Sequence, residues 1–132
     1  MVDVEGLATE AIDYGLRLHR RIGPGLFESV YETLLAEGLS RRGFRVERQK
    51  LISVTIDGIE LKDAFRIDLL VEGALLIELK SVERASPVHL KQLLTYLRLM
   101  NLPLGLLMNF GEETFRAGLK RVANTLSAFP SS

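Results

Sequence analysis

From Phe65 to Leu79 the odd-numbered positions Phe65, Ile67, Leu69, Val71, Leu75, Ile77 and Leu79 are all apolar, with a glycine between the two sets. A period of two is the signature of a strand with one buried face, so this stretch reads as a hairpin. Matching the two apolar sets requires odd to pair with odd, for example Ile67 with Ile77. That register closes on a three-residue loop, Val71-Glu72-Gly73, with glycine at the left-handed position. Arg66, Asp68, Glu78 and Lys80 then fall together on the opposite face, at the end away from the loop. Asp68 lies diagonal to Glu78, with Cβ atoms up to roughly 7 Å apart. Unscreened by a cation, two such carboxylates repel by about 3 kcal/mol at ~6 Å and an effective dielectric near 20. Lys80 relieves part of this. Mg²⁺ or Mn²⁺, which favour carboxylate and carbonyl oxygens, would relieve more. A plain solvated face is the other reading of the same charges.

The rest of the chain sets the frame. Leu7, Ala11, Tyr14, Leu18 and Ile22 keep a helical period from Glu5 to Ile22, and Gly23-Pro24-Gly25 breaks it. Phe27, Val30, Tyr31, Leu34 and Leu35 form one face of a second helix that ends at Gly43. A β-rich region runs from Arg45 to Lys80, with a turn at Asp57-Gly58. Ser86-Pro87 starts a third helix, which carries Leu90, Leu93, Leu94 and Leu97 and ends near Pro103. The unbroken apolar run Leu104 to Phe110 predicts a strand covered on both faces, and Glu113 to Ser127 a last helix. The order is ααβββαβα in a single α/β domain, 1–132, with a three-stranded meander and a fourth strand joined by a parallel crossover.

Composition narrows the chemistry. The 132 residues carry no cysteine, which removes disulfides, thiolate catalysis and cysteine-bound zinc. A formal net charge of zero advertises no broad electrostatic grip on nucleic acid. No leader pattern and no membrane-spanning apolar run are visible, so a cytoplasmic protein is expected. His19 reads as structural, and His89 stands in the first turn of the third helix. Arg41, Arg42, Arg45, Arg48 and Lys50 form the best basic cluster for a phosphate backbone, although a helix C-terminus attracts arginine for its own sake.

Asp68 followed by Glu78-Leu79-Lys80 has the form D…ExK and resembles the PD-(D/E)xK nuclease superfamily, whose core is a restriction-endonuclease-like mixed sheet flanked by helices. More specifically, Gly25-Leu26-Phe27-Glu28-Ser29-Val30-Tyr31 spells GxxExxY. With FRIDLLVEG, LIELKSVE and HLKQLLTYL, the chain from about Ile12 to Ala123 resembles the GxxExxY protein family, a branch of that superfamily. The resemblance implies a metal-dependent nuclease acting on nucleic acid, DNA rather than RNA, with Mg²⁺ or Mn²⁺ as cofactor and a homodimer as assembly. It implies Asp68 and Glu78 as metal-binding acids, the Leu79 carbonyl as a further oxygen, and Glu28 as an acid from an early helix. Lys80 would orient or activate the attacking water and meet developing phosphate charge. Gln92 and Tyr96 resemble the QxxxY element of RecB-like nucleases, beside the active site. Arg66, with Arg41, Arg42 and Arg45, completes the expected nucleic-acid contacts. Ile67 stands where the superfamily's pattern has proline. The competing reading is a nuclease-fold binding module that no longer cuts. A metabolic enzyme lacks support from any glycine-rich phosphate loop.

Overall fold

Asp57 and Gly58 both adopt left-handed backbone, φ 53° and 77°, and Ile56 pairs with Ile59 across them. This is the geometry that suits a two-residue hairpin turn to the twist of its strands. The computed structural model describes residues 2–125. Its elements are α1 (Val4–Ile22), α2 (Glu28–Arg41), β1 (Val46–Ile56), β2 (Ile59–Val71), β3 (Leu75–Lys80), α3 (Pro87–Met100), β4 (Leu104–Asn109), α4 (Phe115–Gly118) and β5 (Leu119–Ala123). The five strands form one sheet in the order β1-β2-β3-β4-β5. Only β3 and β4 run parallel; the other neighbours are antiparallel.

Both faces of the sheet are covered. On one, Leu69, Val71, Leu75, Ile77, Leu79, Leu106 and Met108 pack with α1, α2 and Phe115. On the other, Ile67, Leu70, Leu76 and Leu107 pack with Leu93 and Leu97 of α3. All six residues of β4 are buried, as its unbroken apolar run requires. Asp3 caps α1, its side chain accepting from the Gly6 N–H at 3.0 Å. Ser86 caps α3, and His89 closes the box by accepting from the Ser86 N–H at 3.2 Å.

Three expectations are corrected. The helix expected over Glu113 to Ser127 is instead the four-residue α4 followed by β5, and Ser127 lies outside the described residues. At Gly118 the chain passes so close to β4 that a Cβ would stand 2.0 Å from the Asn109 carbonyl oxygen. Beyond it Leu119 and Val122 enter opposite clusters, which alternation in a strand delivers and a helix stripe does not.

The β2–β3 register is Leu69↔Ile77 and Val71↔Leu75, two residues from the expected Ile67↔Ile77, and the loop is Glu72-Gly73-Ala74. A slip of two leaves every side chain on its face, so the apolar pattern cannot tell the registers apart. Turn geometry decides it: Glu72 and Gly73 take φ 52° and 64°, and Ala74 N–H donates to the Val71 carbonyl at 3.0 Å.

The single-face alternation of β2 also fails. Phe65 and Ile67 pack on the α3 side, while Leu69 and Val71 pack on the other. The phase changes at Asp68. Arg66, between Phe65 and Ile67, therefore faces away from α3 and does not share a face with Glu78.

Candidate active site

The β2–β3 ladder stops at Leu69↔Ile77, and one step further in that register Asp68 stands opposite Glu78. Side chains take over from the backbone there. The Asp68 N–H donates to Glu78 Oε2 at 3.0 Å, and the Leu79 N–H donates to Asp68 Oδ2 at 2.8 Å. Lys80 follows on β3, its carbonyl accepting from the Phe110 N–H at 2.8 Å. Among the described residues, none of these three side chains enters an ion pair.

Burial, then the neighbouring Asp68 carboxylate, push the Glu78 pKa up to about 9. Lys80 opposes this and does not win. Glu28, the first residue of α2, is solvent-exposed at the rim. Partial withdrawal from water and the Asp68 charge raise its pKa, while Lys80 lowers it. From α3, Tyr96 stacks on Phe65 with centroids 4.1 Å apart and planes at 8°. Its hydroxyl is also pushed up, first by burial and then by the charges of Glu78 and Asp68. Gln92 lies one turn earlier on the same helix and is exposed. Asp68, Glu78, Lys80, Glu28 and Tyr96 are thus one electrostatic neighbourhood, built by β2, β3, α2 and α3.

The GxxExxY segment earns its shape from Tyr31. This fully buried side chain stacks on Phe110 at 4.5 Å, donates its hydroxyl proton to the Gly23 carbonyl at 2.6 Å, and accepts from the Leu26 N–H at 3.2 Å. It clamps the loop that delivers Glu28. Ser81 adds a second tie, donating to the Leu26 carbonyl at 2.6 Å. Asn109, also buried, accepts from the N–H groups of Val82 and Gly111 at 3.1 and 3.0 Å, holding together the chain after β3 and β4.

Glu32 follows Glu28 by one turn of α2. It is buried, with Oε2 accepting from Arg48 Nη2 at 3.1 Å and Oε1 from Gln49 Nε2 at 2.5 Å. Gln49, which no pattern singled out, also donates to Asp68 Oδ1 at 3.2 Å. Its backbone is left-handed, φ 46°, inside a strand, a conformation that costs an ordinary residue about 1–2 kcal/mol.

The expected basic cluster is not at this site. Arg41 ends α2, whose 14 residues span about 20 Å from Glu28. Arg42 is committed to Glu10 at 2.5 Å and Asp13 at 3.0 Å. Arg45 stands at the loop end of the hairpin, its N–H donating to Glu72. Arg48 serves Glu32, and Lys50 pairs with Glu47 at 2.6 Å. His19 is buried, its Nε2 2.8 Å from the Glu112 carbonyl oxygen, and is structural.

The donor set suits a hard divalent cation in its chemistry: two adjoining acids, neither in an ion pair among the described residues. It is a two-acid set. Among the described residues no three His, Cys, Asp or Glu side chains are grouped to hold an ion. No helix among them is long and apolar enough to cross a membrane.

A five-stranded mixed sheet flanked by helices, with two acids and a lysine where its central strands part, defines the restriction-endonuclease-like class of fold. A family model described as the PD-(D/E)XK nuclease superfamily matches residues 5–122, and the chain belongs to that superfamily. Comparison with curated proteins and with solved structures finds no match.

Proposed function

We propose that this protein is a Mg²⁺- or Mn²⁺-dependent nuclease of the GxxExxY branch that hydrolyses phosphodiester bonds in DNA. The observation that carries the reading is the interlocked pair Asp68 and Glu78, packed side by side with neither acid in an ion pair among the described residues. Asp68, Glu78 and the Leu79 carbonyl would hold the ion. The N–H and C=O of a strand residue point toward the same neighbour. Since the Leu79 N–H reaches Asp68, its carbonyl is aimed to the same side. Glu28, at the rim, would act through its charge and through water. A bound divalent ion supplies activation of water as nucleophile and stabilisation of charge on the phosphate.

The chain's own residues do the rest. Lys80 places a positive charge beside the scissile phosphate, where negative charge grows in the transition state. Tyr96 and Gln92 line the α3 side of the site as contacts for the nucleic acid, and Arg66 lies on the opposite face of β2. The assignment of DNA rather than RNA, and of a homodimer, rests on the family resemblance. Incubation of the protein with single-stranded, duplex and branched DNA, with Mn²⁺ or with EDTA, tests the reading. Cleavage that needs Mn²⁺ and is lost in Asp68→Ala supports it. Binding of DNA without cleavage under every condition would replace it with the binding-module reading.

A further inference from the structure

Gln49 occupies an unusual place. It is the residue of β1 that stands between the ladder pairs Arg48↔Leu69 and Lys50↔Ile67, opposite Asp68, and the ladder is interrupted there. Its backbone is left-handed in mid-strand, where glycine or asparagine would sit with less strain. Its side chain is exposed, so it fills no space in the core. What it does is make two hydrogen bonds from one nitrogen, to Glu32 Oε1 at 2.5 Å and to Asp68 Oδ1 at 3.2 Å. The amide orientation is fixed by chemistry, because the flipped form would set its oxygen against two carboxylates.

Behind Gln49 the anchor is firm. Glu32 is 5% exposed, and Arg48 grips its other oxygen while also donating to Thr33 Oγ1 at 2.9 Å. Asp68 is thereby held from two sides, Gln49 on Oδ1 and the Leu79 N–H on Oδ2. Each oxygen keeps a further lone pair for another partner. A carboxylate fixed this way is oriented without being saturated, which is what a ligand to a hard cation needs.

We infer that Gln49 is a positioning residue: it suspends the Asp68 carboxylate from the buried Glu32, itself gripped by Arg48, so that Asp68 presents its free lone pairs to a divalent cation. The inference rests on the nuclease reading above. It also gives the glutamate after Tyr31 a purpose, since Glu32 acts on the site through Gln49 rather than as a ligand.

The test uses Gln49→Gly, which relieves the backbone strain and deletes the amide, with Gln49→Leu beside it. Mn²⁺ affinity is measured by calorimetry, thermal stability by circular dichroism, and cleavage as kcat and KM for DNA. The expected result is a Gln49→Gly protein at least as stable as wild type, with Mn²⁺ binding weakened about 10- to 100-fold. Its kcat should fall and its KM for DNA should hold. Mn²⁺ affinity and kcat within twofold of wild type, while Asp68→Ala abolishes both, would overturn the inference and leave the nuclease reading intact. Stability lost together with Mn²⁺ binding in both variants would also overturn it, making Gln49 a fold residue. A wild type that binds no Mn²⁺ beyond Asp68→Ala would bring down the nuclease reading, and this inference with it.

Discussion

Asp68 and Glu78 stand opposite each other at the point where their strands part, with the N–H of Asp68 bonded to Glu78 Oε2 at 3.0 Å. The reciprocal bond runs from the Leu79 N–H to Asp68 Oδ2 at 2.8 Å. Two acids replace two rungs of the ladder, and both are half-buried. A protein that only needed to close its sheet would have used backbone carbonyls there.

The first consequence is a pH dependence with a definite sign. The Glu78 pKa is raised from the ordinary 4.5 to about 9, so between those values the folded protein holds a proton that the unfolded chain releases. The contribution of Glu78 to stability is therefore full below pH 4.5 and declines as pH rises toward 9. Glu78→Gln removes the decline. In EDTA, urea denaturation should find Glu78→Gln more stable than wild type by about 3 kcal/mol near pH 7, and the gap should close toward pH 4.5. A gap independent of pH would contradict the assignment.

In the proposed function Lys80 serves the chemistry and not the binding of the metal. Removing its charge leaves the two acids and the Leu79 carbonyl in place. Lys80→Met is expected to retain Mn²⁺ binding in calorimetry and to lose about 10²- to 10³-fold in cleavage rate. Loss of metal binding in this variant would instead make the lysine a structural partner of the acids.

Tyr31 holds the loop before Glu28 through one hydroxyl with two partners. Tyr31→Phe keeps the stacking on Phe110 and strands the Gly23 carbonyl and the Leu26 N–H. Chemical denaturation should show a loss of about 1–3 kcal/mol. An unchanged midpoint would mean that water replaces the hydroxyl.

Gly38 sets how closely α2 approaches α1. A Cβ there would fall 2.0 Å from Cζ of Tyr14. Gly38→Ala should lower stability by about 1–3 kcal/mol despite alanine's better helix propensity. The double variant with Tyr14→Leu should recover part of that loss in the same denaturation experiment.

Much of this architecture is legible in the residues. The turn at Asp57-Gly58, the Ser86-Pro87 helix start and the apolar β4 all follow from local chemistry that tertiary packing does not override. The parallel β3–β4 pair follows from the intervening helix. The hairpin register is ambiguous by two because the side-chain period is two, and the turn geometry, with Glu72 left-handed beside Gly73, settles it. Glutamate gives no sign of that conformation. Gln49 is illegible for the same reason, and its partners Glu32 and Asp68 are 17 and 19 residues away. The pairing within the basic cluster is illegible because packing directs Arg42 to Glu10 and Asp13, and Arg48 to Glu32, all distant in sequence. Asp68 and Glu78 stand out in the sequence because charge on a central strand conflicts with the leucines around it.

The most direct test of the account is a calorimetric titration of Mn²⁺ into wild type, Asp68→Ala and Glu78→Ala at pH 8. The account predicts binding of one class in the wild type, coupled to release of the Glu78 proton, and no binding in either variant. Three indistinguishable titrations would contradict it and leave the interlocked acids as a feature of the fold alone.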